Sequence, residues 1–280
     1  MASSFLAKWR RRLGLYRDIG FLYRTGFFTN SVTACPICAS SDVIFEAKND
    51  VSELDRCKKC NHVYTRKQPR DYILRIMYGD FGYWVKDKAH QGIHSVEYGP
   101  QWEGFIKARV GIMERCGMLD GKEAKRFFEI GCSEGILLKA LVDRGHQASG
   151  CEMNVAIAEA GRRSLGVDIS SEKFENLRLD DSCFDGIVSF HTVEHVNSPH
   201  SVLKKSAKLL KPSGAILIEV PIGEEEYANT DHLHFFSRES LRALLDTYFE
   251  ESEIIDNCYT NCNNVLIGSV YGFGRRPRRG

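Results

Sequence analysis

From Arg126 onward the chain alternates short apolar runs with stretches of helical period. Arg126–Ile130 is such a run; a glycine-containing turn follows, then a helix over Ile136–Arg144 stopped by Gly145. The pattern repeats as strand Gln147–Cys151, helix Val155–Leu165 stopped by Gly166, and strand Val167–Ser170. Gly186–Phe190 comes after an acidic loop. Ser198-Pro199 then opens a helix that runs to Leu210 and ends at Lys-Pro-Ser-Gly214. Strand Ala215–Val220, a helix Arg238–Tyr248 capped by Ser237, and strands Glu251–Asp256 and Asn264–Val270 complete the series. Strands alternating with helices across short turns predict an α/β fold, a parallel sheet with helices on both faces.

The first 122 residues read differently. Residues 1–30 space Phe5, Trp9, Leu13, Tyr16, Tyr23 and Phe27 near helical period with arginines between them: a basic helical arm, docked on the body, lying on a membrane surface, or serving as a transit segment. Residues 31–68 hold Cys35-Pro-Ile-Cys38 and Cys57-Lys-Lys-Cys60. Each C-x2-C turn aims two thiolates at one point, and two turns supply four sulfurs for tetrahedral zinc, so these residues predict a zinc ribbon with strands at Val43–Glu46 and His62–Thr65. The residue after each pair is expected in a left-handed turn, which suits Asn61 better than Ala39. Residues 69–122 read as a helical linker, with helices at Tyr72–Tyr78 and Gln101–Met118. The aromatic stretch Tyr78–Trp84 between them is a candidate substrate lid. The body then spans 123–272, and 273–280 reads as a basic tail.

Composition changes this picture in two places. The other six of the ten cysteines show no pairing, which points to a reducing compartment. The expected location is the cytoplasm, with the inner membrane surface within reach of the basic arm. Net charge is only +1, but residues 1–30 carry +5 and the last ten +4, leaving −8 for 31–270. A near-neutral total therefore does not exclude an anionic partner; it places one at the two ends. No apolar run reaches the roughly 18 residues a membrane span needs.

The first strand of the body ends Phe127-Phe-Glu129-Ile-Gly131-Cys-Ser133-Glu-Gly135 and runs straight into a helix, where an open α/β sheet binds ligand. A dinucleotide fingerprint would require G-x-G-x-x-G, which is missing. The bland alternative for these glycines is tight strand–helix packing. The segment resembles the first motif of class I S-adenosylmethionine (SAM) methyltransferases, an acid followed by G-x-G-x-G, with Ser133 replacing the middle glycine. Glu152 stands 23 residues after Glu129, at the end of the second strand. Phe184-Asp185 leading to His191-Thr-Val-Glu194-His195 resembles a segment of the methyltransferase group that includes ubiquinone-pathway and sugar enzymes. The wider organisation resembles zinc-ribbon methyltransferases of bacterial surface-polysaccharide loci. The resemblance implies a Rossmann-like, seven-stranded methyltransferase sheet beside the small N-terminal ribbon. It also implies Glu129 near the SAM amino group, Gly131, Ser133 and Gly135 along the methionine end, Glu152 on the ribose and Phe174 against adenine. Lys173 stands where the family often has an acid.

SAM carries its own electrophile, so the protein must align a nucleophile and, for a hydroxyl or enolisable carbon, remove a proton. Two histidine clusters follow the fourth and fifth strands: His191, Glu194 and His195, then Asp231, His232 and His234. Asp231-His232 resembles the acid-His segment of sugar C-methyltransferases. His232 is thus the first candidate base and His195 the next, ahead of His234. His191 is counted with the cofactor side, and Glu194 and Asp231 are read as orienting their neighbours. Each histidine has a structural alternative, a hydrogen-bonded core residue. The expected function is methylation of a small-molecule or glycan acceptor, a sugar hydroxyl first and a nucleotide-sugar carbon next. The alternatives are an RNA methyltransferase, for which the basic ends lack interleaved aromatics, and a non-catalytic SAM-binding or interaction protein.

Overall fold

A computed structural model of the chain describes residues 28–49, 52–79, 100–223, 227, 229–260 and 266–279. The basic arm, apart from residues 28–30, and residues 80–84 of the aromatic stretch lie outside the described residues. None of the described helices is long and apolar enough to cross a membrane.

Seven strands form the main sheet: β6 (Arg126–Ile130), β7 (Gln147–Cys151), β8 (Asp168–Ser170), β9 (Phe184–Phe190), β10 (Leu210–Pro221), β12 (Phe249–Thr260) and β13 (Leu266–Pro277). Their spatial order is β12-β13-β10-β9-β6-β7-β8. The first five in chain order are parallel, and β13 runs antiparallel to both β10 and β12. The chain steps outward from β6 through β7 to β8, then restarts on the other side at β9. The resulting crevice at the carboxyl ends of β6 and β9 is where an open sheet takes ligand. Phe127 and Phe128 on β6 point to opposite faces and both are buried, as a strand covered on two sides requires.

Helices α1 (Asp71–Tyr78) and α2 (Pro100–Arg115) precede the sheet; α3 (Ile136–Val142), α4 (Val155–Leu165), α5 (Pro199–Leu209) and α6 (Arg238–Tyr248) lie within it. Their ends follow local chemistry. Asn154 Oδ1 accepts from the Ile157 amide to start α4, and Gly166 at φ 65° ends it. Ser198 caps α5 ahead of Pro199, and Ser237 with Ser240 forms a capping box on α6. Strand β10 begins at Leu210, five residues before the expected Ala215, with a register shift between Leu210 and Ala215 absorbing the Lys-Pro-Ser-Gly214 turn.

Two expectations need correction. The stretch 273–280 is not a free basic tail, because β13 runs to Pro277. Gly272 and Gly274 admit α6 and Phe249 so closely that a Cβ would lie 2.8 Å from Leu245 and from Phe249. Arg275 and Arg276 pair with Glu251, while Arg278 donates to the Asp246 and Phe249 carbonyls. Arg279 donates to the carbonyls of Ala207, Lys208 and Leu210 at the end of α5, where a cation meets the negative end of the helix.

The second correction concerns the ribbon. Its strands β2 (Val43–Lys48), β3 (Glu53–Cys57) and β4 (Val63–Thr65) continue into β11 (His234–Phe235), a piece of the body, in the order β11-β4-β3-β2. A separate two-stranded sheet joins β1 (Thr29–Ser31) to β5 (Lys67–Pro69). Cys35, Ile37, Cys57 and Cys60 belong to the same apolar cluster as Phe128, Val202 and Leu241. The ribbon is therefore fused to the body through shared sheet and shared core.

Candidate active site

The carboxyl end of β6 passes into a tight turn. Gly131 and Gly135 have φ of 72° and 76°, and Ser133 takes the same left-handed region at 51°. A Cβ on Gly131 would lie 2.3 Å from Thr192 Oγ1, and one on Gly135 2.8 Å from Ile169. Strand–helix packing thus requires both glycines here. Glu152 gathers the turn: its carboxylate accepts from the Ser133 amide at 3.1 Å and the Asn154 amide at 2.8 Å.

Glu129 is buried, with Oε1 3.8 Å from Arg109 and Oε2 without a hydrogen-bond partner among the described residues. Burial pushes its carboxyl up to about 8, against the pull of Arg109. Phe174 is 3% exposed, packed against Phe128 and covered by Lys205. The ring expected against adenine is thus spent largely on the core. Lys205 donates to the carbonyls of Phe174, Glu175 and Leu177 and fixes this loop. Lys173, the departure from the family pattern, pairs with Asp71 on α1 and with Glu175.

The other rim of the crevice brings four histidines and two acids together. His191, at φ 50°, lies between two buried carboxylates, Nδ1 3.4 Å from Glu194 and Nε2 3.6 Å from Glu219. Burial alone would discharge it; the contacts with Glu194 and Glu219 outweigh that and carry it up to about 9. Glu194 moves the other way: burial would raise it, but His191, with His195 and His232 behind it, brings it down to about 2.

His195 Nδ1 lies 3.1 Å from the Asp231 carbonyl and 3.0 Å from the Tyr78 hydroxyl. A carbonyl only accepts, so Nδ1 carries the proton and Nε2, 3.9 Å from Glu194, carries the lone pair. Burial lowers this imidazole to about 4, so it is neutral at pH 7. His232 packs edge-on against it, centroids 4.6 Å apart. Its Nε2 is 2.9 Å from Asn229 Nδ2, and Asn229 Oδ1 accepts from the Asp231 amide, which fixes the orientation of the Asn229 amide. The His232 Nε2 lone pair is therefore already engaged. His234 is fully buried with both nitrogens engaged, Nε2 on the Val196 carbonyl at 2.9 Å and Nδ1 on His62 at 3.1 Å. It occupies the core position that the bland alternative describes.

Among the described residues, two groupings have the spacing of metal ligands. One atom each from Cys35, Cys38, Cys57 and Cys60 lie within 4.8 Å of one another, as do atoms of Glu194, His195 and His232. For the cysteines, the Cys35–Cys60 and Cys38–Cys57 sulfurs are 3.5 Å apart. Tetrahedral bonds of zinc to sulfur put sulfurs about 3.8 Å apart, so the set fits that ion. Ala39 and Asn61 both take the left-handed turn, at φ 57° and 54°, and each donates its amide to the first cysteine of its pair at 2.9 Å.

Sequence reading missed Arg109 and Tyr78 as site residues. Arg109 lies between the rings of Phe105 and Phe190, 4.4 Å from each centroid. Its signal was an arginine inside the apolar stripe Ile106, Val110, Met113 of α2. Tyr78 ends α1, and the next residue, Gly79, accepts from Asn154 through its carbonyl at 3.3 Å. The end of α1 therefore touches both rims of the crevice.

Residues 111–248 match a family described as a methyltransferase domain. Among curated proteins, the ubiquinone biosynthesis O-methyltransferase of Idiomarina loihiensis is 29% identical over 143 residues, 48% of this chain and 53% of that protein. Its namesake in Parvibaculum lavamentivorans is 33% identical over 101 residues, 34% of this chain and 40% of the other. The chain spans about half the length of the curated relatives it matches. Of solved structures, a SAM-dependent methyltransferase from Archaeoglobus fulgidus superimposes with a TM-score of 0.52 at 18% identity, over 69% of this chain and 99% of that one. A phosphoethanolamine N-methyltransferase from Haemonchus contortus gives 0.54 at 16%, over 77% and 63%. At such identities these two structures establish the fold.

Proposed function

With residues 111–248 forming a class I, SAM-dependent methyltransferase domain, we propose that the protein methylates a hydroxyl of a polar small molecule or glycan. The β6 rim suits SAM. The unpartnered Oε2 of Glu129 offers a buried acceptor to an ammonium group, and Glu152 stands at the end of β7, where a carboxylate meets ribose hydroxyls. Bound there, SAM supplies an electrophilic methyl.

The acceptor reading rests on one observation: the partly buried His195 presents its Nε2 3.9 Å from the buried Glu194 carboxylate, with its Nδ1–H held by the Asp231 carbonyl. Such a nitrogen can take a hydroxyl proton, and Glu194 stabilises the imidazolium that forms. His195 thus replaces His232 as first candidate base, because Asn229 already occupies the His232 lone pair. The surrounding Glu219, Asn257 and Ser269 make this rim polar, which suits a hydroxyl-rich acceptor. Oxygen as the acceptor atom agrees with the names of the curated relatives. The same base would serve a nucleotide-sugar carbon next to a carbonyl. For RNA, the case is weaker because the C-terminal arginines are engaged within the fold. The four cysteines would hold about one zinc per chain.

The test is transfer of label from methyl-labelled SAM to nucleotide sugars, glycans, quinone precursors and total RNA. Label in a sugar or glycan supports the proposal. Label confined to RNA overturns it.

A further inference from the structure

The ribbon contributes a side chain to the rim that carries His195. His62 follows Cys60 by two residues and is fully buried. Its ring packs on Phe236, centroids 4.9 Å apart, with Nε2 3.1 Å from His234 Nδ1 and Nδ1 3.3 Å from the Ser240 hydroxyl. The proton pattern along this row has one solution at its far end. The Val196 carbonyl only accepts, so His234 Nε2 carries a proton. A neutral His234 then has an accepting Nδ1, which only a donor can satisfy, and His62 Nε2–H is that donor. His62 Nδ1 then faces the Ser240 hydroxyl as an acceptor, sharing its proton with the Ser237 carbonyl at 3.1 Å. Both imidazoles are fully buried, so bulk water cannot substitute.

Backbone contacts run alongside. The Thr65 amide donates to the Leu233 carbonyl, and the Leu233 amide to the carbonyl of Glu194. His234 and Phe235 pair with Tyr64 and Val63. Ser237 Oγ donates to the Cys60 carbonyl, and His200 on α5 meets the Ile37 carbonyl at 2.7 Å. Both cysteine turns thus grip the segments flanking residues 193–196. With the β6 strand the cysteine turns share an apolar cluster, through Phe128 and Ile130.

We propose that His62 is a positioning residue: through His234 it holds the Val196 carbonyl, and with it the turn that aims Glu194 and His195. This rests on the acceptor reading above. It predicts that the ribbon acts on acceptor chemistry and leaves cofactor binding alone.

Two variants test it, His62→Phe, which keeps a ring against Phe236 but loses the donor, and His62→Gln, which restores an N–H. Measurements are affinity for S-adenosylhomocysteine, metal content, amide hydrogen exchange over 193–197 and 233–235 in the S-adenosylhomocysteine complex, and turnover of the acceptor found by the label screen. His62→Phe is expected to lower kcat about tenfold, equivalent to roughly 1.4 kcal/mol, and to speed exchange in both segments. Affinity for S-adenosylhomocysteine should stay within about twofold, well under that energy, with the metal retained. His62→Gln should recover most of the lost turnover and protection. Wild-type exchange and turnover in His62→Phe would overturn the proposal, as would a parallel fall in cofactor affinity or loss of the metal. Exchange needs no acceptor. Faster exchange with no acceptor ever methylated would leave the positioning role standing and remove the methyl-transfer reading instead.

Discussion

The two rims of the crevice are built in opposite ways. On the cofactor side, Glu129, Gly131, Ser133 and Gly135 lie within one strand, turn and helix, and Glu152 joins them from the adjacent strand through two backbone amides. On the acceptor side, His195 depends on Asp231 and Tyr78, Glu194 on His191, and His234 on His62, across separations of up to 172 residues. A locally built rim tolerates damage elsewhere in the chain. A rim assembled from distant segments fails when any of them is lost.

The most severe way to break the comparison is to remove the metal set. Cys57→Ser, at a buried position in the shared core, is expected to abolish metal binding and lower the melting temperature by on the order of 10 °C, since structural zinc contributes heavily to folding. Metal analysis, thermal melting and calorimetric binding of S-adenosylhomocysteine would measure it. Acceptor turnover should vanish while cofactor binding survives. Simultaneous loss of both would show that the rims form one cooperative unit.

Next in size is the proposed base. His195→Gln should reduce kcat by about 10²–10⁴ with cofactor affinity unchanged. His232→Gln should cost clearly less, because its Nε2 is engaged by Asn229. Steady-state kinetics on both variants ranks them, and equal losses would return His232 to the role.

The rims should also respond to pH with opposite sign. Burial brings His234 down to about 4, from an ordinary value near 6.5. The unfolded chain therefore binds the proton more readily, and the acceptor rim loses this contribution to stability as pH falls from about 6.5 toward 4. Together with His195, likewise brought down to about 4, it outweighs the opposite contribution of His191, which is lost as pH rises toward 9. Burial carries Glu129 up to about 8, so the cofactor rim is favoured at low pH and loses stability as pH rises from about 4.5 toward 8. Each effect is on the order of 3–5 kcal/mol across its full pH range. Exchange protection factors at pH 5 and pH 8 should show residues 193–197 weakening at the lower value and 127–131 at the higher. Glu129→Gln should flatten the second response without touching the first.

The same contrast governs what sequence could disclose. The seven-strand body, the turn after β6 and the two cysteine pairs are local patterns, and their periodicity and spacing survive without the fold. His62 carries no such mark: beside Cys60 it reads as a ribbon residue, and only the pairing of β11 with β4 brings it to His234. The proposed move of the base from His232 to His195 has a related origin. Nothing in Asp231-His232 shows that Asn229 takes the lone pair, whereas the role of His195 depends on a backbone carbonyl, which every residue possesses. The terminal arginines misled because charge reads as solvent exposure, while here Gly272 and Gly274 draw the segment into the sheet and the helix ends absorb the charge.

The smallest effect compares one substitution across both regions. Ser133 and Ala39 each hold the left-handed region, at φ 51° and 57°, which costs a residue with a Cβ about 1–2 kcal/mol relative to glycine. Ser133→Gly and Ala39→Gly should therefore each stabilise the protein, by about 1 kcal/mol after the larger unfolded-state entropy of glycine is deducted. A melting temperature higher by about 2 °C would register either change. Both variants keep the amides that matter, Ser133 N–H on Glu152 and Ala39 N–H on Cys35. Cofactor affinity and metal content should thus be unchanged. If Ser133→Gly instead weakens binding of S-adenosylhomocysteine, the serine hydroxyl is a ligand contact that the turn geometry alone does not require, and the strain it carries is retained for binding.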